Sequence, residues 1–241
     1  MSAAAAAAAA AAVRKVAVIG GGSVGSTLAI NIARSSLFEV SVGARDPAKT
    51  TGKIGDKFTS AGVDISVAHV KDAVAAASVV VVATPGSHDD AGIQALVDSL
   101  GDCSGKVVID CTNPLSNFPA LSVRWNGKSG GEVLAESLAG AAVYKSFNTV
   151  GVEHMADPSG AVSGGAGQED MLVAGDERDE FKSVALSIVE AVGFKPRYVG
   201  PIRYARNLEA IAELWIHLAV PPAGDTKEDW GRNFNFALHG I

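Results

Sequence analysis

Cysteine is scarce in this sequence, since Cys103 and Cys111 are the only two among 241 residues. Two cysteines are too few for a disulfide framework, and their spacing does not match a metal-binding motif. This usage suits a reducing compartment, so we expect a cytoplasmic protein. Long hydrophobic runs are also missing, because no stretch is both long and apolar enough to span a bilayer.

Positive charge is in deficit, with 20 lysines and arginines against 26 acidic residues and a formal net charge of -6. This balance argues against nucleic acid or an anionic membrane as the main partner. Histidine pairs at metal-ligand spacing on a helix are also lacking, so we predict no metal site. No carboxylate pair stands out as an acid and a base, and we predict no catalytic side chain.

Low complexity is confined to the beginning of the chain, where residues 3–12 are all alanine. We interpret residues 1–12 as a disordered tail or a frayed helix. A transit peptide is the alternative, but no arginine precedes Val13. The chain is 48% hydrophobic, enough for a large core, and we predict a single α/β domain over residues 13–241.

A glycine-rich turn follows the first predicted strand. The residues from Val16 to Ile19 form a short apolar run, typical of a strand buried on both faces. The pattern G-x-G-x-x-G comes next, and a helix is predicted from Ser26. Its first glycine allows the turn, the second admits a pyrophosphate, and the third packs the helix on the strand. The predicted dinucleotide-binding residues are Gly20, Gly22, Ser23, Val24 and Gly25.

The same glycines allow three other interpretations. The pattern G-x-S-x-G around Ser23 matches the nucleophile elbow of hydrolases, but no earlier loop precedes it to supply an oxyanion donor. The P-loop pattern is nearly met, but Ser26 stands where a P-loop has its phosphate-binding lysine. An ordinary structural glycine turn is the third alternative.

The end of the second predicted strand, Phe38 to Ala44, favours NADP over NAD. An acidic residue normally accepts the ribose hydroxyls at this position in NAD sites. Here Arg45 follows Ala44, and Lys49 lies one turn further on, whereas Asp46 is predicted to cap that turn. Arginine and lysine favour a 2′-phosphate through charge-assisted hydrogen bonds. A solvated surface pair is the alternative.

Polar residues follow three further predicted strands, over residues 78–84, 106–112 and 142–147. The carboxyl ends of parallel strands meet at one edge of a sheet, where the ligand of such a sheet lies. Their amides and hydroxyls are suited to orienting the nicotinamide carboxamide, although each residue taken alone fits a helix cap equally well. His88 is either a binding residue beside the same crevice or only a residue at the N-terminus of a helix. The predicted site residues here are Ala83, Thr84, Pro85, His88, Asn113, Asn148 and Thr149.

The remaining chain predicts an extension at the C-terminal end. A helix over residues 202–219 presents an apolar face, and Glu209, Glu213 and His217 form a second, solvated stripe. Residues 231–238 alternate polar and apolar side chains, which predicts a final strand. Residues 63–67 predict a short strand, and residues 117–131 predict a loop over the sheet edge or a partner surface. The fold class is therefore a Rossmann-like, doubly wound and mainly parallel sheet with extra C-terminal strands and helices.

These motifs together resemble the NADP oxidoreductases that use the deazaflavin coenzyme F-420, and the related STEAP reductase domain. The resemblance extends from Val13 to Leu238 and implies a homodimer with reversible hydride transfer between NADP(H) and a deazaflavin or flavin. It implies that Arg45 and Lys49 hold the 2′-phosphate. One departure is Ala44, where the family often has serine. The motifs are Ile19-Gly-Gly-Gly-Ser-Val-Gly25, Val42-Gly-Ala-Arg45-Asp-Pro47, Ile109-Asp-Cys-Thr-Asn-Pro114, Lys145-Ser-Phe-Asn148-Thr149, Tyr204-Ala-Arg-Asn-Leu-Glu209 and Gly231-Arg-Asn-Phe-Asn-Phe236.

Three hypotheses of function follow. The first is an NADP(H)-dependent oxidoreductase with a small-molecule redox acceptor, in which the two bound molecules carry the chemistry. The second is a non-catalytic NADP(H)-binding module that senses redox state. The third is a serine hydrolase built on Ser23. The similarity also reaches the N-terminal half of pyrroline-5-carboxylate reductases, but their long helical dimerisation domain has no counterpart in this sequence.

Overall fold

A computed structural model describes residues 14–117, 120–121, 127–159, 167–220 and 230–238. The alanine tail over residues 1–12 lies outside the described residues, as does the part of the predicted 117–131 loop that contains Trp125. No helix within the described ranges is long and apolar enough to cross a membrane.

Eight strands form one sheet in the order β10-β9-β8-β5-β4-β1-β2-β3. Neighbouring strands are parallel except β8 and β9, which run antiparallel. The predicted mainly parallel, doubly wound sheet is confirmed. A small hairpin, β6 with β7, lies apart from it. The strands are β1 (Arg14–Ile19), β2 (Phe38–Ala44), β3 (Ser66–His69), β4 (Val79–Val82), β5 (Val107–Asp110), β6 (Leu115–Asn117), β7 (Ala120–Leu121), β8 (Ala142–Lys145), β9 (Asp170–Gly175) and β10 (Lys195–Gly200).

Helices cover both faces of the sheet, so its central strands are buried throughout. On one face Leu28 and Ile188 pack against the sheet, and on the other Leu100 and Leu134 do so. Every residue of β4, a run of four valines, is buried. The helices are α1 (Ser23–Arg34), α2 (Pro47–Ala61), α3 (Val70–Ala76), α4 (Asp90–Leu100), α5 (Gly130–Ser137), α6 (Val152–Ala156), α7 (Asp179–Val192) and α8 (Ala205–Ala219), the last preceded by a 3-10 turn (Ile202–Tyr204).

Helix α2 was not predicted, and its local sequence explains why it forms. Asp46 accepts a hydrogen bond from the Lys49 backbone N–H at 3.0 Å, and Pro47 occupies the first helical turn. The predicted cap is therefore confirmed. Only Ile54 and Phe58 are buried along α2, so the apolar periodicity that marks a helix is weak. The strand predicted over residues 63–67 begins later, at Ser66.

Replacing Asp46 with alanine is expected to lower the free energy of unfolding by about 1 kcal/mol, because the cap bond to Lys49 is lost. Asp56 is the matched control, since it is exposed in the interior of the same helix. Asp56→Ala should change stability by less than about 0.5 kcal/mol. Urea unfolding of both variants checks the prediction, and equal losses would contradict it.

The strand predicted over residues 231–238 is wrong. The chain there is not in a ladder, and side chains of other elements bind its backbone instead. The Trp215 indole donates to the Phe234 carbonyl at 2.9 Å, and the Leu238 N–H donates to Asp170 at 3.1 Å. The Trp215 and Phe234 rings stack with centroids 5.7 Å apart. The alternating pattern therefore reflects aromatic packing on α8 rather than strand pairing.

Candidate functional site

The glycine turn after β1 requires glycine at two positions. Gly20 has a φ of 113°, and its N–H donates to the Gly43 carbonyl at 3.0 Å. A Cβ added at Gly20 would lie 2.7 Å from the Ala83 carbonyl oxygen, and one added at Gly25 would lie 1.9 Å from the Gly20 carbonyl oxygen. Both approaches are too close for any side chain. The turn thus holds β1, β2, β4 and α1 together at the carboxyl edge of the sheet.

The beginning of α1 is open to a ligand. Gly22 caps the helix without a side-chain hydrogen bond, and a Cβ there would meet nothing within 4 Å. Ser23 is exposed, whereas Val24 packs against the core. Free backbone N–H groups and the helix dipole favour a phosphate at such a position. The geometry therefore fits the predicted pyrophosphate site.

The backbone of Ser23 does not fit a nucleophile elbow. That motif places its serine on a sharp, strained turn. Ser23 is instead the first residue of α1, and within the part of the chain that is described, positive φ angles outside glycine occur at Ser36 and Phe147. The structure gives the hydrolase hypothesis no support.

Two exposed cationic side chains lie at the end of β2. Ala44 is buried, Arg45 and Lys49 are exposed, and neither cation forms an ion pair with any described residue. Asp46, the acidic residue beside them, accepts the Lys49 backbone N–H. Because Gly43 binds Gly20, this cationic pair lies next to the glycine turn.

The three predicted strand ends converge. A Cβ added at Gly86 would lie 1.9 Å from the Asn113 carbonyl oxygen, so the β4 loop packs directly on the β5 loop. Asn113 in turn bonds Asn148, which donates from Nδ2 to Asn113 Oδ1 at 3.1 Å. Thr149 is buried beside Asn148. Pro85 is exposed, and His88 is half-buried with its Nε2 3.9 Å from the Asp89 carboxylate.

Within the described part of the chain, two buried polar atoms at these strand ends lack a hydrogen-bond partner: Asn148 Oδ1 and Thr84 Oγ1. The Asn148 amide cannot be turned over, because its Nδ2 also donates to the Leu208 carbonyl at 3.0 Å. Buried polar atoms without a partner cost free energy, and a bound polar ligand relieves that cost. A carboxamide carries both the donor and the acceptor that these two atoms require.

Phe147, the residue before Asn148, has a backbone conformation that costs conformational free energy. It has a φ of 62° and is fully buried, packed 6.2 Å from the Phe194 ring. A left-handed conformation is unusual for a bulky residue and costs on the order of 1–3 kcal/mol. Its buried ring holds this conformation in place, and the conformation sets where Asn148 stands.

A buried charge cluster, which the sequence did not reveal, lies beneath the strand ends. Lys145 Nζ is 2.8 Å from Asp110 Oδ2 and 3.0 Å from Glu209 Oε1. All three residues are buried, so the prediction that Glu209 belongs to a solvated stripe is wrong. We call Asp110, Lys145 and Glu209 the charge cluster. The clue was the charged residue that ends each of two otherwise apolar strands, β5 and β8.

The N-terminus of α5 helps to compensate the second carboxylate of the charge cluster. Glu209 accepts the Gly130 N–H at 3.0 Å and the Gly131 N–H at 2.9 Å. Burial by itself lowers the pKa of Lys145, but the charges and hydrogen bonds of Asp110 and Glu209 outweigh it and raise that pKa. The raised pKa favours the charged form of Lys145, which suits a structural support beneath the strand ends.

The described ranges contain no candidate metal site, because no three histidine, cysteine or acidic residues there are arranged to hold an ion. Burial raises the pKa of the Cys111 thiol well above its ordinary value, which disfavours the thiolate form.

Residues 15–114 match the family described as NADP oxidoreductase, coenzyme F420-dependent. They contain the glycine turn, the β2 tip and two of the three strand ends. This part of the chain is similar to that family. The resemblance predicted from the motifs is thereby confirmed, and both similarities favour an NADP-dependent oxidoreductase.

Solved structures support the same fold. A protein from Arthrobacter sp. FB24, described as a candidate F420-dependent NADP-reductase, is 28% identical with a TM-score of 0.75, covering 94% of this chain and 100% of its own. A hypothetical protein from Sinorhizobium meliloti is 22% identical with a TM-score of 0.65, covering 95% of this chain and 97% of its own. An imine reductase from Pseudomonas sp. is 16% identical with a TM-score of 0.59, covering 86% of this chain and 62% of its own. The last two show the fold alone.

Proposed function

We propose that this protein transfers a hydride between NADP(H) and a deazaflavin or flavin. The observation that carries the proposal is the open N-terminus of α1 beside Arg45 and Lys49, two cations that form no ion pair with the described residues. The helix end suits the pyrophosphate, and the cations suit a 2′-phosphate. Bound NADPH would supply the hydride. The pyrophosphate contacts in this proposal are Gly20, Gly22, Ser23, Val24 and Gly25.

The strand ends supply the nicotinamide subsite in this proposal. Asn148 Oδ1 accepts the carboxamide N–H₂, and Thr84 Oγ1 donates to its carbonyl, which gives each buried atom a partner. Positioning of donor and acceptor carbons is the main contribution that a protein makes to such a hydride transfer. The other residues that we propose around the nicotinamide are Ala83, Pro85, His88, Asn113 and Thr149. The homodimer stays a prediction.

Titration calorimetry with NADPH and NADH tests the nucleotide, and the NADPH absorbance band, followed while deazaflavin, FMN and FAD are added in turn, tests the acceptor. We expect tight NADPH binding and oxidation by one of these acceptors. Binding with no oxidation by any of them would favour the redox-sensing module. Binding of neither nucleotide would refute the proposed function.

A further inference from the structure

We infer that the charge cluster positions Asn148 for the nicotinamide carboxamide, which makes Lys145 and Glu209 positioning residues of the proposed nucleotide site. The inference rests on the proposed function. It assigns a role to three buried charged groups that touch neither the glycine turn nor the cationic pair, and it follows from the bonds that connect the cluster to Asn148.

The first connection runs through the turn after β5. Asp110 Oδ1 accepts the Thr112 N–H at 2.9 Å, and Lys145 Nζ donates to the Thr112 carbonyl. Both backbone polar groups of Thr112 are thus held by members of the charge cluster. These two bonds fix the turn that carries the next residue, Asn113.

The second connection runs through α8. Asn148 Nδ2 donates to the Leu208 carbonyl, and Leu208 directly precedes Glu209. Glu209 is anchored both to Lys145 and to the first N–H groups of α5. Two acceptors orient the Asn148 amide: Asn113 Oδ1 and the Leu208 carbonyl. Asn113 follows Thr112, which the charge cluster binds. Leu208 precedes Glu209, which is a member of the cluster. We therefore expect a change in the cluster to loosen both acceptors.

A close comparison pair lies on the same two helices. Arg206 forms hydrogen bonds with Glu132 and so also links α8 to α5, one turn from Glu209. Its side chain is half exposed, and neither residue bonds the Thr112 turn or Asn148. The variant Arg206→Gln thus weakens the contact between the helices but leaves the positioning bonds intact.

The test compares the affinity of two ligands that differ only in the nicotinamide: NADPH and 2′-phospho-ADP-ribose. The dissociation constant of 2′-phospho-ADP-ribose divided by that of NADPH gives a ratio that reports the nicotinamide subsite alone. Glu209→Gln puts a donor against the α5 N–H groups or Lys145, and Glu209→Asp keeps the charge but shortens its reach. We expect either variant to lower the ratio by about tenfold toward one, the equivalent of one or two lost hydrogen bonds. Affinity for 2′-phospho-ADP-ribose should stay within about twofold.

The control and the thermal unfolding curve separate positioning from stability. Arg206→Gln should keep the wild-type ratio even where it lowers the unfolding temperature. An unchanged ratio in the Glu209 variants, or an equal fall in Arg206→Gln, would overturn the inference, as would a wild-type ratio near one. Failure of the wild-type protein to bind either ligand would refute the proposed function itself. Because Glu209→Asp keeps a negative charge near Lys145, a folded variant remains available if Glu209→Gln does not fold.

Discussion

Replacing Lys145 with methionine is expected to lower the free energy of unfolding by about 3–5 kcal/mol, the largest stability change predicted for this protein. The substitution keeps the apolar stem and removes the ammonium, so Asp110 and Glu209 are left facing each other away from water. Two buried carboxylates without a cation cost far more free energy than two carboxylates exposed at the surface, because the protein interior screens their charges poorly. Urea unfolding of the purified variant measures the loss.

Lys128 provides the matched control. It also pairs with a carboxylate, Glu136, at 2.7 Å, but both side chains are about half exposed to solvent. Lys128→Met should therefore cost less than about 1 kcal/mol. Comparable losses for the two variants would contradict the burial of the charge cluster away from water. A small loss for Lys145→Met would also remove the basis for its role in positioning Asn148.

Local sequence specified the nucleotide half of the fold. The apolar runs of β1 and β4, and the glycines between β1 and α1, each fit one conformation strongly. The same holds for the three strand ends, because parallel strands bring their carboxyl ends to one edge without any further information. Asn113 and Asn148 could be placed together in this way before their hydrogen bond was known.

The features that sequence reasoning missed depend on distant partners. Glu209 follows the spacing of a polar helix stripe, and nothing near it in the chain shows that Lys145 and the α5 N-terminus lie over it. The segment from residue 231 to 238 has strand-like alternation, but a strand requires a neighbouring backbone, and this segment contacts side chains such as Trp215 instead. In both cases tertiary contacts override the local pattern.

Arg45→Ala is expected to weaken NADPH binding by about 1.5–3 kcal/mol, or roughly 10–150-fold, and to leave NADH binding almost unchanged. The guanidinium is exposed at the β2 tip and forms no ion pair with the described residues, so no internal contact is lost with it. The lost free energy is that of a charge-assisted hydrogen bond to the 2′-phosphate, the one group that distinguishes the two nucleotides. Calorimetry with both nucleotides, at low and high salt, measures it.

Arg34 is the control for this prediction, since it is an arginine at the opposite end of α1, where it reaches the Ala61 carbonyl at 3.4 Å. Arg34→Ala should leave both affinities unchanged. The salt dependence adds a second criterion: an exposed charge contact weakens as salt screens it, so NADPH binding to Arg45→Ala should depend less on salt than wild-type binding does. Equal losses for NADPH and NADH would place Arg45 on a group common to both nucleotides and would leave Lys49 as the remaining candidate for the 2′-phosphate.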